Sequence, residues 1–586
     1  MQVFFDSYNA KHMKSDEIAE NFVSSDLFIE TAKNSHTILV GPRGSGKTTF
    51  LRMLSNDTLH KWDGYKTLEG KGTIKYEGIY VPGDLVWGEM INSLKDTGLN
   101  SKHVESFSYS AFCTHVFLNV ISGIENSLNK VEKDQLVSIQ DDIHDALINI
   151  CSILKISPEK VSISRIRLEL NSKINVLGEY SRYLSIFGSD SFDNLDFEEK
   201  VSYAYTDLKI ALESIFDAID IALKRPEHRW ALLLDEFEIA PQHLLDKVIR
   251  NMRSSARKVI FKVALVPCGC HQKIKHETSN INDYSIVELW YVKKGESASF
   301  CNNLVKSRYG IDSPVKQLGN TKYSSNIRSS SHWVSEFNEL YSKDVTFKKY
   351  IDENNIDYID ELTKKERSSS KLRKISPQVA FRNAFINSNG KRKGRKSLPE
   401  FYSGWEAIST ISEGNPRWLI SVLNPLFASY DQKKVPDSQQ MTKVKASTDS
   451  YRAMLKTLPL SNNMGLSTSE PVLSLLERIA NYFNSRLIDD DFMPSPPSTF
   501  KVDRGISSDI EKALMIAWNY GAIVCVSPES TFGTYDNLQG LRFRLSHLLA
   551  PTFDLPLTTG PSINLSTVLS KKSSKIPSLE QGDLFE

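Results

Sequence analysis

Three things are scarce in this sequence, and each absence excludes a class of protein. Neither sign of charge is in excess: 72 basic and 71 acidic residues leave a formal net charge of +1. A globally basic nucleic-acid binder is therefore excluded, and only local basic stretches are left to make such contacts. Cysteine is sparse. Six thiols in 586 residues, at Cys113, Cys151, Cys268, Cys270, Cys301 and Cys525, are scattered as reduced thiols are, without the spacing of a disulfide framework. Cys268-Gly269-Cys270-His271 has one residue between its thiols and no second ligand pair, which suits zinc poorly. Long hydrophobic runs are missing: no uninterrupted apolar stretch reaches membrane-spanning length. The start, Met1-Gln2-Val3-Phe4-Phe5-Asp6, lacks the basic and then apolar regions of a secretory leader. The expectation is a cytoplasmic chain with no membrane partner. Its 40% hydrophobic and 24% charged residues are those of ordinary globular proteins. At this length two to four domains are expected.

The strongest local pattern is near the N-terminus. Thr37-Ile38-Leu39-Val40, a short buried-strand signature, runs directly into Gly41-Pro42-Arg43-Gly44-Ser45-Gly46-Lys47-Thr48, a full match to the P-loop pattern G-x-x-x-x-G-K-[ST]. Thr49-Phe50-Leu51-Arg52-Met53-Leu54 then shows helical spacing, so the motif sits between strand and helix. Such a loop curls consecutive backbone N–H groups around phosphates, with the helix N-terminus adding favourable partial charge. Lys47 is expected at the β- and γ-phosphates of ATP or GTP, and the Thr48 hydroxyl on magnesium (Mg2+). A second acidic partner is expected at Arg229-Trp230-Ala231-Leu232-Leu233-Leu234-Asp235-Glu236. This hydrophobic strand, placed beside the P-loop strand, would bring Asp235 to the magnesium shell and leave Glu236 to polarise the attacking water.

Three more segments read as strands of the same sheet: Thr73 to Val81, Val259 to Val266 and Ser285 to Trp290. Their alternation with helical patterns predicts a parallel α/β sheet, with nucleotide at the carboxyl ends of the strands.

Together with Gly414-Asn415-Pro416-Arg417-Trp418, the P-loop and the Leu-Leu-Leu-Asp-Glu box resemble AAA+/STAND ATPases, most closely the origin-recognition (Orc/Cdc-like) initiator branch. The resemblance implies that Arg417, at the start of a lid helix, is the sensor-2 arginine that meets the γ-phosphate. It also implies a polar first sensor after the strand ending at Val266, where this chain has Pro267-Cys268. No arginine finger is assigned: Arg250, Arg253 and Arg257 lie on the helix before that strand, where a solvated face accounts for them equally.

The expected organisation is a P-loop ATPase domain over 1–295, interrupted by a helical insertion at about 87–226. A helical lid over 296–435 carries a basic polar insertion at about 310–400. A winged-helix-like domain at 436–557 is the further module that the resemblance implies, and a disordered tail runs from 558 to 586. In the basic stretch, Lys364, Lys365, Arg367, Lys371, Arg373, Lys374 and Arg382 lead to Lys391-Arg392-Lys393-Gly394-Arg395-Lys396, opposed only by Glu361 and Glu366. This is the composition of a DNA- or RNA-phosphate contact and equally of a solvated loop. In the tail, Gln581-Gly582-Asp583-Leu584-Phe585 resembles the short peptide with which bacterial proteins engage the replication sliding clamp.

The leading functional expectation is an ATP-driven switch acting near DNA, in replication-linked work or as the ATPase component of a phage-defence system with an effector partner. Two other readings stand beside it: a nucleotide-gated scaffold with little hydrolysis, and a DNA-binding initiator or loader.

Overall fold

The computed structural model of the protein describes residues 10–570 except 71, 84–91, 95–96, 189–191, 254–257, 270–282, 291–296, 322–329, 364–369, 395–399, 431–433, 459–471 and 528–533. The Gln581–Phe585 motif, Cys270-His271, Arg257, Arg395 and Lys396 lie outside the described residues.

Five parallel strands form the central sheet: β1 (His36–Val40), β2 (Glu77–Val81), β3 (Trp230–Leu234), β4 (Val259–Leu265) and β5 (Tyr284–Glu288), in the order β2-β3-β4-β1-β5. The expected parallel α/β P-loop fold is therefore present, with one correction. β3 does not lie beside the P-loop strand, because β4 stands between them. All seven residues of β4 are buried. A strand with no polar face or edge belongs at the centre of a parallel sheet, where both neighbours and both faces are covered.

Alternation along each strand sends neighbouring side chains to opposite faces. Ile38, Val40, Ile79, Leu232, Leu234 and Val263 join the core of the helical insertion, whereas Leu39, Ala231, Leu233, Ala264 and Val287 meet the P-loop helix (Lys47–Leu54) and the N-terminal helices. The insertion's long helix, Ser101–Leu128, is the one helix among the described residues long and apolar enough to cross a membrane, and 78% of its most apolar window is buried in the protein. Gly123 lets it lie on the sheet, since a Cβ there would come 2.7 Å from Ile79.

The stretch that reads as a polar insertion in the lid is largely folded. Helices Ser330–Lys343, Val345–Glu353, Tyr358–Thr363 and Ser370–Phe385 share a core of Phe337, Leu340, Phe347, Leu372, Ile375 and Phe492. Arg382, counted in the sequence among the basic residues, is buried there. Its Nε donates to Asp344 at 2.7 Å and its Nη1 to the carbonyls of Leu487 and Asp490. A guanidinium removed from water needs such partners, so Arg382 is not available to a polyanion. Arg392 likewise meets Asp489 and Asn484, and Lys393 donates to the carbonyls of Asn383 and Ala384.

In the C-terminal region a second sheet has the order β7-β8-β6-β9, from β6 (Thr499–Lys501), β7 (Ile523–Cys525), β8 (Arg542–Leu545) and β9 (Ser562–Asn564). β9 corrects the expectation that disorder begins at Thr558. Ser562–Asn564 pairs in parallel with β6, and the following helix Leu565–Ser570 buries Leu565 and Val568. Two apolar anchors and a strand partner outweigh the polar composition of this segment. One continuous apolar cluster runs from the lid residues Leu304, Ile408 and Leu423 to Phe500, Phe543 and Leu565.

Candidate functional site

The P-loop takes its shape from glycine. Gly44 and Gly46 have φ of 87° and 99°, left-handed values that a side chain resists, and Gly46 starts the helix Lys47–Leu54. The loop is held at its base by a hydrogen bond from the Gly41 N–H to the carbonyl of Leu265, at the end of β4 (3.1 Å). Lys47 is buried and its ammonium donates to the carbonyls of Gly41 (2.6 Å) and Pro42 (3.2 Å). Burial lowers its pKa, Glu238 and Asp235 work against that, and Arg43 and Arg417 add to it.

Asp235 lies just beyond β3. Its Oδ2 accepts from the Tyr80 hydroxyl at 2.8 Å, while its buried Oδ1 has no hydrogen-bond partner. Burial pushes the carboxyl up, and Tyr80, Thr48 and Lys47 oppose the shift. Glu236 follows with φ of 49°, a backbone state costing about 1–2 kcal/mol for a residue with a Cβ. Such strain, where it is observed, concentrates at functional positions. Its carboxylate accepts from Lys11 Nζ at 2.7 Å. Arg52 of the P-loop helix fixes that lysine's segment by donating to the carbonyls of Ala10 and Met13, each at 2.7 Å.

Arg417 arrives from 370 residues downstream yet flanks the loop: a Cβ on Gly44 would sit 3.2 Å from the Cβ and Cδ of Arg417. Asn415 sets that approach. Its Oδ1 accepts from the Arg417 N–H at 3.0 Å and its Nδ2 donates to the Arg43 carbonyl at 3.4 Å. Gly41 to Thr49, Asp235, Glu236 and Arg417 thus converge on one place. Arg392 and Lys393, which pair elsewhere, do not join them.

Beside the loop opens a cleft lined by Ser45, Gly46 and Thr49 and by the apolar side chains of Phe22, Val23, Phe300 and Ile420. P-loop residues and apolar side chains thus line one cleft. Two orphaned buried oxygens, Asp235 Oδ1 and Glu238 Oε2, lie near the Lys47 charge and suit a divalent cation with its water shell. Among the described residues no cluster of three or more His, Cys, Asp or Glu could hold a metal by itself.

The sequence reading missed Glu238, Lys11, Tyr80 and the apolar wall. Glu238 had a visible signal as a third carboxylate in Asp235-Glu236-Phe237-Glu238. The others reach the site only through folding.

The lid turn is locked to the second sheet. Glu413, at φ of 56°, accepts from Arg544 Nη1 and Nη2 at 2.6 and 2.7 Å and from the His547 N–H at 2.6 Å. Burial alone would raise its carboxyl, but Arg544 and His547 more than offset it and hold the pKa at about 2. The folded value is below the unfolded one of about 4.3. The stabilisation is therefore complete above the unfolded pKa and lost as pH falls from about 4.3 to about 2. On the order of 3 kcal/mol is linked to this step. Glu413→Gln is expected to lower the melting temperature at pH 7 and to narrow that deficit toward pH 2. A deficit that is constant with pH would show that the carboxylate charge is not the source.

A family model described as ORC-CDC6-like matches residues 3–565. No curated protein matches the chain, and no solved structure does.

Proposed function

The chain belongs to the ORC-CDC6-like family, the origin-recognition branch of the AAA+ ATPases, and from that premise we propose a magnesium-dependent ATPase whose lid answers to the bound nucleotide. The observation that carries this reading is that Asp235, with Glu236 beside it in the chain, and Arg417 stand next to Lys47 and the P-loop, three distant segments brought together.

In this reading the loop N–H groups and Lys47 hold the β- and γ-phosphates, and the apolar wall takes the base. Glu236 accepts a hydrogen bond from the attacking water. The water oxygen bonds to the γ-phosphorus, its proton passing to the Glu236 carboxylate, as the bond to the bridging oxygen breaks, and ADP leaves with that electron pair. Arg417 balances the charge that builds on the γ-oxygens. Thr48 and Asp235 would hold magnesium, which when bound would neutralise charge on the phosphates. The test is magnesium-dependent phosphate release from ATP by the full chain. ATP binding without release supports the nucleotide-gated scaffold, and no binding overturns both.

A specific observation favours the scaffold as second reading: Glu236 is engaged by Lys11, which neutralises the carboxylate needed as base. Work close to DNA, in replication or phage defence, belongs to the proposal through the family and the sequence. The DNA contact is assigned to Lys391–Lys396 or to a winged-helix-like surface in the C-terminal region, and a sliding-clamp contact to Gln581–Phe585. Deleting 581–586 is expected to abolish clamp pull-down while leaving ATP binding unchanged; retained pull-down removes that part of the proposal.

A further inference from the structure

We propose that Asn519 is a positioning residue of the nucleotide site, fixing the P-loop and the end of β4 from the C-terminal region, so that this region senses whether the loop is occupied. The inference rests on the nucleotide reading of the P-loop.

Asn519 ends the helix Ser508–Asn519 and is buried. Its backbone carbonyl accepts from the Arg43 N–H of the P-loop at 2.8 Å. Its side-chain Oδ1 accepts from the Cys268 N–H at 2.8 Å, and its Nδ2 donates to the Cys268 carbonyl. One amide thus satisfies both backbone groups of the residue at the first-sensor position. The neighbours reinforce the contact. The Arg43 guanidinium lies 4.8 Å from the centre of the Tyr520 ring, and the Tyr535 N–H donates to the Pro267 carbonyl at 2.8 Å.

Two chemical facts make the position specific. Only an amide presents a donor and an acceptor at this length, since aspartate lacks the donor and alanine both. A buried backbone group left unpaired is expensive, so the seating of Asn519 on Cys268, from which its backbone carbonyl reaches the loop, depends on this side chain. The Cys268 thiol cannot serve instead: it is fully buried, and burial raises it well above its ordinary pKa. The Arg43 N–H is spent on Asn519 and the Ser45 N–H on the Pro42 carbonyl at 3.2 Å, so Asn519 fixes one side of the loop that is to face the phosphates. A shift of a few tenths of an ångström there degrades phosphate binding.

The test uses the full chain with Asn519→Ala, Asn519→Asp and a control, Ser507→Ala. Ser507 caps the same helix by accepting from the Ile510 N–H, and its loss weakens the helix without touching Arg43 or Cys268. Affinity for a fluorescent ATP analogue and melting temperature are read for each. Both Asn519 variants are expected to bind ATP about tenfold more weakly, the scale of one lost buried hydrogen bond, while the control melts lower with affinity unchanged. Equal affinities in all chains would reduce Asn519 to a structural role and overturn the proposal. In the unsubstituted protein, which needs no variant to fold, ATP is expected to slow amide hydrogen exchange over residues 519–526; unaltered exchange there also overturns it. Failure of the unsubstituted protein to bind ATP would instead bring down the nucleotide reading itself.

Discussion

Glu236→Gln is expected to bind ATP as tightly as the unsubstituted protein and to release phosphate at least about a hundredfold more slowly. The amide has the shape of the carboxylate and can still line the site, but it cannot accept the proton of the attacking water. Lys47 is held by the Gly41 and Pro42 carbonyls and Glu236 by Lys11, so the substitution leaves the seat of Lys47 in place. The Lys11 contact gives the same residue a second signature. If Lys11 restrains Glu236, Lys11→Ala should move turnover in the opposite direction, upward by several-fold, with ATP affinity unchanged. A single-turnover assay with both variants separates the possibilities. Turnover of Glu236→Gln equal to that of the unsubstituted protein would exclude Glu236 as base and favour the scaffold.

Lys47→Ala is expected to lose ATP binding by at least about a hundredfold, the loss of a charge-assisted contact to two phosphates. The fold should survive. Burial already disfavours the Lys47 ammonium, so its removal relieves a desolvation cost while giving up the contacts to the Gly41 and Pro42 carbonyls. Thermal unfolding with and without ATP reads both effects together. In the unsubstituted protein a saturating nucleotide at about 100 times its Kd adds about 2.7 kcal/mol of stability; in the variant this increment should vanish while the ligand-free melting temperature stays close. An ATP-dependent shift that survives the substitution would place the nucleotide elsewhere.

Much of the site was legible because its parts are contiguous in the chain. Gly41 to Thr48 needs only a strand before it and a helix after it, and both are written in the adjacent residues. Asp235-Glu236 ends a strand whose apolar run is unmistakable, and Arg417 opens a helix behind Asn415-Pro416. The partners of these residues were not legible. Lys11 and Glu236 are separated by 225 residues, and Asn519 and Cys268 by 251. Composition also misled in two places. Arg382 sits in a basic run, yet Asp344 and two carbonyls consume it. The polar segment after Thr558 supplies strand β9 because Leu565 and Val568 hold it down.

By itself the sequence determined the parallel α/β class and the P-loop motif, since each is set by local spacing and by burial patterns that repeat within a few residues, while Arg417 was singled out only through the family resemblance. The tertiary structure alone decided which strand separates β1 from β3, that Arg382, Arg392 and Lys393 are engaged within the fold, and that the C-terminal region grips the P-loop through Asn519. Those outcomes depend on which surfaces a folded chain can cover and which polar groups it can pair, and contacts across hundreds of residues leave no pattern in the local order of amino acids.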